Sequence, residues 1–155
     1  MEKRKILFVC QGNICRSPLA MFLLRYKLKE IGKDDDFEIT SAGLENSTKG
    51  EDMHPESKKQ LDEHEIPYQE HHAHPLSPKE FLEQDYVLYM ENYQKIAIKR
   101  MMSNNHIEKL HRLFDYTGEC RDIADPYYTG DFVTAYLDID KALDCFIQKE
   151  ILKNN

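Results

Sequence analysis

Residues 5–18 read Lys5-Ile6-Leu7-Phe8-Val9-Cys10-Gln11-Gly12-Asn13-Ile14-Cys15-Arg16-Ser17-Pro18. The apolar run 6–9, bounded by charge and a turn, predicts a strand buried on both faces of a parallel sheet. The loop after it contains glycine and leads into a helix, for which Ser17 is the expected N-cap and Pro18 the first helical residue. This order aims several backbone N–H groups and the positive end of a helix at one point, which predicts an anion site.

Two side chains of this loop carry chemistry. Cys10 stands at its mouth, where the N–H groups, the helix terminus and the guanidinium of Arg16 favour thiolate over thiol. A thiolate is a nucleophile, and a planar guanidinium binds two oxygens of a phosphate. Alternatively, Cys10 is a small apolar side chain that closes a buried strand, and Gly12-Asn13 is an ordinary turn. Packing alone explains this combination of residues poorly, so we expect a phosphate-binding loop with a cysteine nucleophile.

Length, charge and cysteine content restrict the class of protein. A chain of 155 residues is the size of one domain. Its net charge of −7 argues against a nucleic-acid or anionic-membrane surface, so a phosphate site must be a local positive pocket. No apolar run is long enough for a membrane span or a signal peptide. Four cysteines without a C-x-x-C pair predict reduced thiols and a cytoplasmic protein.

The segment 9–18 resembles the signature V-C-x-G-N-I-C-R-S-P of the low-molecular-weight protein-tyrosine phosphatase family at every specified position. The resemblance continues, in the family's order and at roughly its spacing, through Thr40-Ser41-Ala42-Gly43, Asp85-Tyr86-Val87-Leu88-Tyr89-Met90 and Asp125-Pro126-Tyr127-Tyr128. It implies the family's flavodoxin-like α/β fold over 1–155: a single domain whose four-stranded parallel sheet carries helices on both faces. We expect a monomer or a weak dimer.

Apolar periodicity predicts most of the other elements. Strands are expected at 37–40 and 85–90, and helices at 17–31, 55–64, 92–102 and 131–152, with a short one beginning at Ser77. The run 107–114 fits neither pattern, because Ile107, Leu110 and Leu113 recur every third residue, and a strand there is predicted mainly from the resemblance. The segment 115–131 is expected to be a long loop. Strands alternating with helices predict a site beyond the carboxyl ends of a parallel sheet.

A general acid should accompany Cys10, because thiolate attack on a phosphate ester leaves an alcohol or phenolate that needs a proton. Asp125 is the candidate. Pro126 stiffens its backbone, and the resemblance assigns this role to the Asp of D-P-Y. In a second step Asp125 would act as a base and activate water against the cysteinyl-phosphate. The neighbouring carboxylates, expected to be solvated, are Asp115, Asp122 and Asp131.

Further residues are predicted to bind the substrate: Gln11, Gly12, Asn13, Ile14, Cys15, Ser17, Tyr127 and Tyr128. Ser17 can hydrogen-bond the thiolate, and Asn tolerates the left-handed turn that Asn13 would occupy. Tyr127 and Tyr128 form a plausible wall for a phenyl ring. By resemblance, the loop 44–54 supplies another wall, usually with an aromatic residue that 44–48 lacks here. The segment 54–57 also lacks the family's usual D-x-R, and Glu91 stands where Asp is frequent.

The resemblance also implies supporting residues. Ser41 would hold Asn13 in its turn, and a histidine would brace the loop; His71 is the candidate and His72 the alternative. No metal or cofactor is expected, because Arg16 and the backbone N–H groups already neutralise a phosphate. The acidic run 34–36 and the histidine-rich run 70–74 are more simply solvated surface than metal sites.

The implied activity is hydrolysis of phosphotyrosine in proteins, or of small aryl phosphates, through a cysteinyl-phosphate. An arsenate reductase shares the fold but needs a close further cysteine pair, which Cys120 and Cys145 do not offer. A phosphoarginine phosphatase tends to carry Thr in place of Ile14 and a single Phe in place of Tyr127-Tyr128. A non-catalytic phosphate-binding module would need neither a nucleophile nor an acid.

Redox sensitivity is also expected. The resemblance suggests that Cys10, when oxidised, joins Cys15 in a disulfide that protects it from irreversible oxidation. The alternative is that Cys15 only packs beneath the loop, since a backbone cradle leaves limited room for disulfide geometry.

Overall fold

The computed structural model describes residues 2–153. Four strands form one all-parallel sheet in the order β2-β1-β3-β4, with the bounds β1 Arg4–Cys10, β2 Phe37–Gly43, β3 Tyr86–Tyr89 and β4 Leu110–Arg112. The α-helices are α1 Arg16–Glu30, α2 Pro55–Glu63, α3 Pro78–Leu82, α4 Asn92–Met101, α5 Pro126–Thr129 and α6 Phe132–Phe146. The predicted α/β fold with a four-stranded parallel sheet is confirmed.

Both faces of the sheet are covered, as the continuous apolar run in β1 predicts. Side chains alternate along a strand. Ile6 and Phe8 therefore join one cluster, with α1 and α6, while Leu7 and Val9 join a second cluster with residues of α3 and α4. All four of these β1 side chains are fully buried. The central strand thus carries its carboxyl-terminal residue, Cys10, on a rigid support.

The fourth strand is shorter than predicted. The expectation of a strand over 107–114 was wrong at both ends, because 3₁₀-helices occupy Ile107–Lys109 and Leu113–Thr117 and leave only β4 between them. A 3₁₀-helix has three residues per turn. Ile107, Leu110 and Leu113 recur every third residue, which matches the period of a 3₁₀-helix better than that of a strand. This is why neither the α-helix pattern nor the strand pattern fitted the segment.

Three boundaries also differ from the sequence predictions. Helix α1 begins at Arg16 with Cys15 as its N-cap, so Ser17 is a helical residue and not the cap. The predicted loop 115–131 contains the end of a 3₁₀-helix and the single turn α5. The α-helical part of the last helix ends at Phe146, and a π-helix over Ile147–Ile151 follows it directly. Across residues 2–153, no helix combines the length and apolarity that a bilayer crossing requires.

Candidate active site

The site lies beyond the carboxyl ends of β1, β2 and β3. Cys10 ends β1, pairs in register with Gly43 at the end of β2, and is followed by the turn that leads into α1. A Cβ atom on Gly43 would lie 3.0 Å from both the Asn13 Cβ and the Gln11 carbonyl oxygen. Only a glycine lets β2 approach the turn this closely, since real Cβ contacts are rarely so short.

Buried hydrogen bonds to Asn13 maintain the shape of this turn. Asn13 has a left-handed φ of 58°, and its Nδ2 donates to Ser17 Oγ at 2.8 Å and to Ser41 Oγ at 3.0 Å. His71 Nε2 donates to the Asn13 carbonyl oxygen at 2.7 Å. The backbone N–H of His74, a contact that the sequence did not indicate, donates to Asn13 Oδ1 at 3.2 Å. These bonds offset the cost of the left-handed conformation.

The structure distinguishes the two candidate histidines. His71 is buried against the turn, and burial lowers the pKa of its imidazole below the usual value. His72 is exposed, and its Nε2 lies 2.9 Å from Glu70 Oε1. His71 is therefore the residue in contact with the loop. A neutral imidazole still donates the required Nε2–H.

Cys10 is 2% exposed, and its sulfur faces donors from α1. The Ser17 N–H donates to Cys10 Sγ at 3.4 Å, and Ser17 Oγ lies 3.0 Å from the same sulfur. Hydrogen bonds to a charged group stabilise its charged form. Ser17 does not cap the helix as predicted, but its side chain does contact the sulfur.

Arg16 is 1% exposed and forms the floor of the cavity. Its Nη1 donates to Glu91 Oε1 and to the Ile123 carbonyl oxygen, both at 2.6 Å. Within the described chain, Nε and Nη2 form no hydrogen bond of good geometry, and the anionic group nearest to Nη2 is Asp125 Oδ2 at 3.2 Å. Burial opposes the charge, yet Cys10, Asp125 and Glu91 together raise the pKa of the guanidinium above its ordinary value. A buried guanidinium whose Nε and Nη2 form no well-aligned hydrogen bond is suited to an anion with two oxygens.

Asp125 joins this cavity from the other end of the chain. It is the N-cap of α5, where its Oδ1 accepts the Tyr127 N–H at 3.0 Å, and its Oδ2 lies 3.2 Å from Arg16 Nη2. The chain just before Asp125 is held next to the end of β3. The Ile123 N–H donates to the carbonyl oxygen of Met90, the residue that follows β3, at 3.0 Å. A carboxyl group therefore lies beside the guanidinium and lines the same cavity as Cys10.

The other three carboxylates of this region are partly or fully exposed, as expected, and each also has a structural partner. Asp115 and Asp122 accept from Arg112 at 2.7 and 3.0 Å. Asp122 also accepts the Asn92 N–H at 2.9 Å, and Asp131 caps α6 by accepting the Thr134 N–H. The described residues that line the cavity do not include these three carboxylates.

The cavity has a volume of about 390 Å³. Its lining comprises Cys10, Gln11, Gly12, Ile14, Cys15, Arg16, Glu45, Ser47, Thr48, Glu51, Asp125, Tyr127 and Tyr128. Among the predicted site residues outside that lining, Asn13, Ser17, Ser41 and His71 are buried behind the loop. The sequence indicated the loop 44–54 as a wall but none of its individual cavity residues, because charged and hydroxyl side chains in a loop usually face solvent.

Aromatic residues form an exposed part of the cavity rim. Tyr127 is 60% exposed and Tyr128 80%, and their rings meet edge to face with centroids 5.3 Å apart. His54 lies beside Tyr127 and stacks on Phe132 at 4.8 Å. In the segment that lacks D-x-R, His54 Nδ1 accepts the Glu56 N–H at 3.0 Å and caps α2 in place of a carboxylate.

All four cysteines are free thiols. Burial, with the charges of Cys10 and Asp125, raises the pKa of Cys15 to about 12. In the reduced protein Cys15 is therefore a neutral thiol at physiological pH. The disulfide with Cys10 stays a prediction.

Histidine and acidic side chains of the 70–74 region pair with each other. His74 Nε2 lies 2.8 Å from Glu80 Oε2, and this carboxylate raises the pKa of the imidazole. Among residues 2–153, no group of three or more His, Cys, Asp or Glu side chains is arranged to hold a metal ion.

Comparison with known proteins identifies a matching family and several similar proteins. The family model of the low molecular weight phosphotyrosine protein phosphatases matches residues 5–155. Low molecular weight phosphotyrosine protein phosphatase 2 of Drosophila melanogaster is 32% identical over 157 residues, which cover 98% of this chain and 95% of that protein. The crystal structure of YfkJ from Bacillus subtilis has a TM-score of 0.93 at 28% identity and covers 97% of this chain and 98% of its own. The crystal structure of DARP, a Drosophila arginine phosphatase, has a TM-score of 0.85 at 29% identity, with 93% and 96% covered.

Proposed function

This chain belongs to the low molecular weight phosphotyrosine protein phosphatase family, a family of hydrolases, and from that membership we propose that it hydrolyses phosphotyrosine in proteins and small aryl phosphates. The observation that carries this function is the cavity lined by Cys10, by the buried guanidinium of Arg16 and by the Asp125 carboxyl group. A nucleophile, an anion fork and an acid in one cavity are the groups that phosphoryl transfer through a thiolate requires.

In the first step the Cys10 thiolate attacks phosphorus, and the bond from phosphorus to the ester oxygen breaks. Arg16 binds two non-bridging oxygens through Nε and Nη2, while Glu91 and the Ile123 carbonyl oxygen hold its Nη1. Asp125 donates its proton to the departing oxygen, so the alcohol or phenol leaves neutral. The charge that develops in the transition state meets donors already in position, which is the main source of acceleration in such sites.

In the second step water replaces the alcohol. Asp125, now a carboxylate, takes a proton from the water molecule. At the same time the water oxygen attacks the phosphorus of the cysteinyl-phosphate. The S–P bond breaks, inorganic phosphate leaves, and Cys10 returns as a thiolate. Ser17 Oγ, 3.0 Å from Cys10 Sγ, stabilises the sulfur as it leaves with a negative charge.

A phosphoarginine phosphatase is the second candidate. It is favoured by the similarity to the Drosophila arginine phosphatase and by carboxylates, rather than an aromatic residue, in the loop 44–54. Ile14 and the pair Tyr127 and Tyr128, all of which line the cavity, favour phosphotyrosine, because an apolar contact and aromatic rings suit a phenyl group.

We expect kcat/KM for a phosphotyrosine peptide to exceed that for the matched phosphoarginine peptide by at least about tenfold. Both peptides are assayed side by side by phosphate release in the presence of a chelator, with Cys10→Ser as the inactive control. The reverse ratio would assign the enzyme to phosphoarginine. Hydrolysis of neither peptide, nor of an aryl phosphate, would overturn the phosphatase activity itself.

Asp125→Asn should slow esters with poor leaving groups by about 10²–10³-fold, and esters with good leaving groups only a few-fold, because only poor leaving groups need the proton in the transition state. Asn is also a good N-cap, so α5 should remain folded. The measurement is kcat across a series of aryl phosphates of graded leaving-group pKa. Equal slowing across the series would remove Asp125 as the general acid.

A further inference from the structure

The loop 44–54 gives the cavity an acidic wall, formed by Glu45 and Glu51. Both carboxylates line the cavity, and among its described lining residues the one cationic side chain is Arg16. Arg16 is already engaged at the floor by Glu91 and Asp125. Glu45 Oε2 accepts from the neutral amide of Gln11 at 2.9 Å. No Lys or Arg of residues 2–153 forms an ion pair with either wall carboxylate.

The wall is fastened to the phosphate loop and to the segment behind it. The N–H groups of Leu44 and Glu45 both donate to the Gln11 carbonyl oxygen, at 2.9 and 3.2 Å. Thr48 Oγ1 donates to the Gly12 carbonyl oxygen at 2.6 Å, and the Ala73 N–H donates to the Glu51 carbonyl oxygen at 2.9 Å. The backbone that carries the two carboxylates is therefore held at a set distance from the anion site.

A second observation, separate from the two glutamates, points to a ligand in the same cavity. Arg16 lines the cavity, is 1% exposed, and its Nε forms no hydrogen bond within the described chain. The guanidinium favours an anion at the floor, and the carboxylates favour a cation beside that anion. The protein as a whole carries a net charge of −7, which repels acidic substrates and attracts basic ones.

Building on the phosphatase activity proposed above, we propose that Glu45 and Glu51 bind a Lys or Arg side chain next to the phosphotyrosine, so that the enzyme selects phosphotyrosine in a basic sequence context. The phosphate binds to Arg16 and the loop N–H groups, the phenyl ring lies against Tyr127 and Tyr128, and the neighbouring basic side chain reaches the acidic wall. A cation there also offsets the repulsion between the wall carboxylates and the phosphate.

The test uses three phosphotyrosine peptides that are identical except for the residues on either side of the phosphotyrosine, which are Lys, Gln or Glu. We expect kcat/KM to fall in that order, with about a tenfold ratio between the Lys and Glu peptides at low ionic strength and a smaller ratio at high salt. In the double variant Glu45→Gln/Glu51→Gln, this ratio should fall to about twofold, since two partly exposed ion pairs are lost.

The matched control is Glu63→Gln/Glu108→Gln, which removes the same charge from two exposed positions outside the cavity lining and should keep the wild-type ratio. An equal kcat/KM for the three peptides, or an equal fall of the ratio in the wall and control variants, would overturn the role of the acidic wall while leaving the phosphatase activity intact. Failure of the wild type to hydrolyse any of the three peptides would instead count against the phosphatase activity.

Discussion

Cys10→Ser should lower kcat for aryl phosphates by at least about 10⁴-fold, because a serine hydroxyl is a far weaker nucleophile than a thiolate in the same position. Binding of phosphate or vanadate should persist within a few-fold. The Arg16 fork and the turn built on Asn13 do not depend on the sulfur, since Glu91, Ile123, Ser41 and His71 hold them. Steady-state kinetics and oxyanion titration measure the two effects separately.

Cys120→Ser provides the matched control, because Cys120 is an exposed thiol outside the cavity lining. It should keep wild-type turnover. Turnover of Cys10→Ser close to that of the wild type would remove Cys10 as the nucleophile. Loss of oxyanion binding together with turnover would indicate that the sulfur holds the loop in shape rather than acting on phosphorus.

Arg16→Lys should lower kcat/KM by about 10²–10³-fold even though the charge is kept. A single ammonium group cannot hold the Glu91 carboxylate and the Ile123 carbonyl oxygen and also present two parallel donors to the phosphate. The affinity for phosphate or vanadate should fall as well, in contrast to Cys10→Ser. Kinetics with a small aryl phosphate and oxyanion titration check both expectations.

Arg25→Lys is a control with the same substitution outside the cavity. Arg25 is partly buried and donates Nε and Nη2 to the Ile39 carbonyl oxygen, so its replacement also removes a forked contact. It should cost some thermal stability but little activity. Near-full activity of Arg16→Lys would show that two-point binding of the phosphate is the wrong description of the transition state.

Local sequence was enough to predict the centre of the site. Cys10 and Arg16 belong to one contiguous strand, turn and helix, whose backbone follows from an apolar run, a left-handed Asn13 and a helix start. Contacts inside such a segment are set mainly by local dihedral preferences. Even here one detail needed the structure. Ser17 has the pattern of an N-cap, but Cys15 caps the helix and the hydroxyl contacts Cys10 Sγ instead.

The site residues that lie far from Cys10 in the sequence were predicted from the family resemblance or were not predicted at all. Asp125 was predicted from the D-P-Y pattern, but its contact with Arg16 depends on the tertiary structure. The nearby Ile123 backbone bonds to Met90, the residue after β3, and to Arg16 Nη1. Whether His71 or His72 contacts the loop depends on which of the two rings faces it. The sequence does not reveal this, because the two residues are adjacent and lie in a segment without regular secondary structure. In the sequence, Glu45 and Glu51 cannot be distinguished from other charged loop residues. Their position in the cavity wall depends on the hydrogen bonds that join their loop to Gln11 and Gly12.

The sequence by itself therefore determined the strand, turn and helix that carry Cys10 and Arg16, the parallel α/β class and the burial of β1 on both faces. Only the tertiary structure decided the length of β4, the position of Asp125, the histidine that contacts the turn and the acidic wall. The physical reason is the range of the interactions. Backbone preference and apolar period act within a few residues and are visible in the sequence. Which side chains from separate loops meet above the sheet depends on hydrogen bonds and packing between segments far apart in the chain.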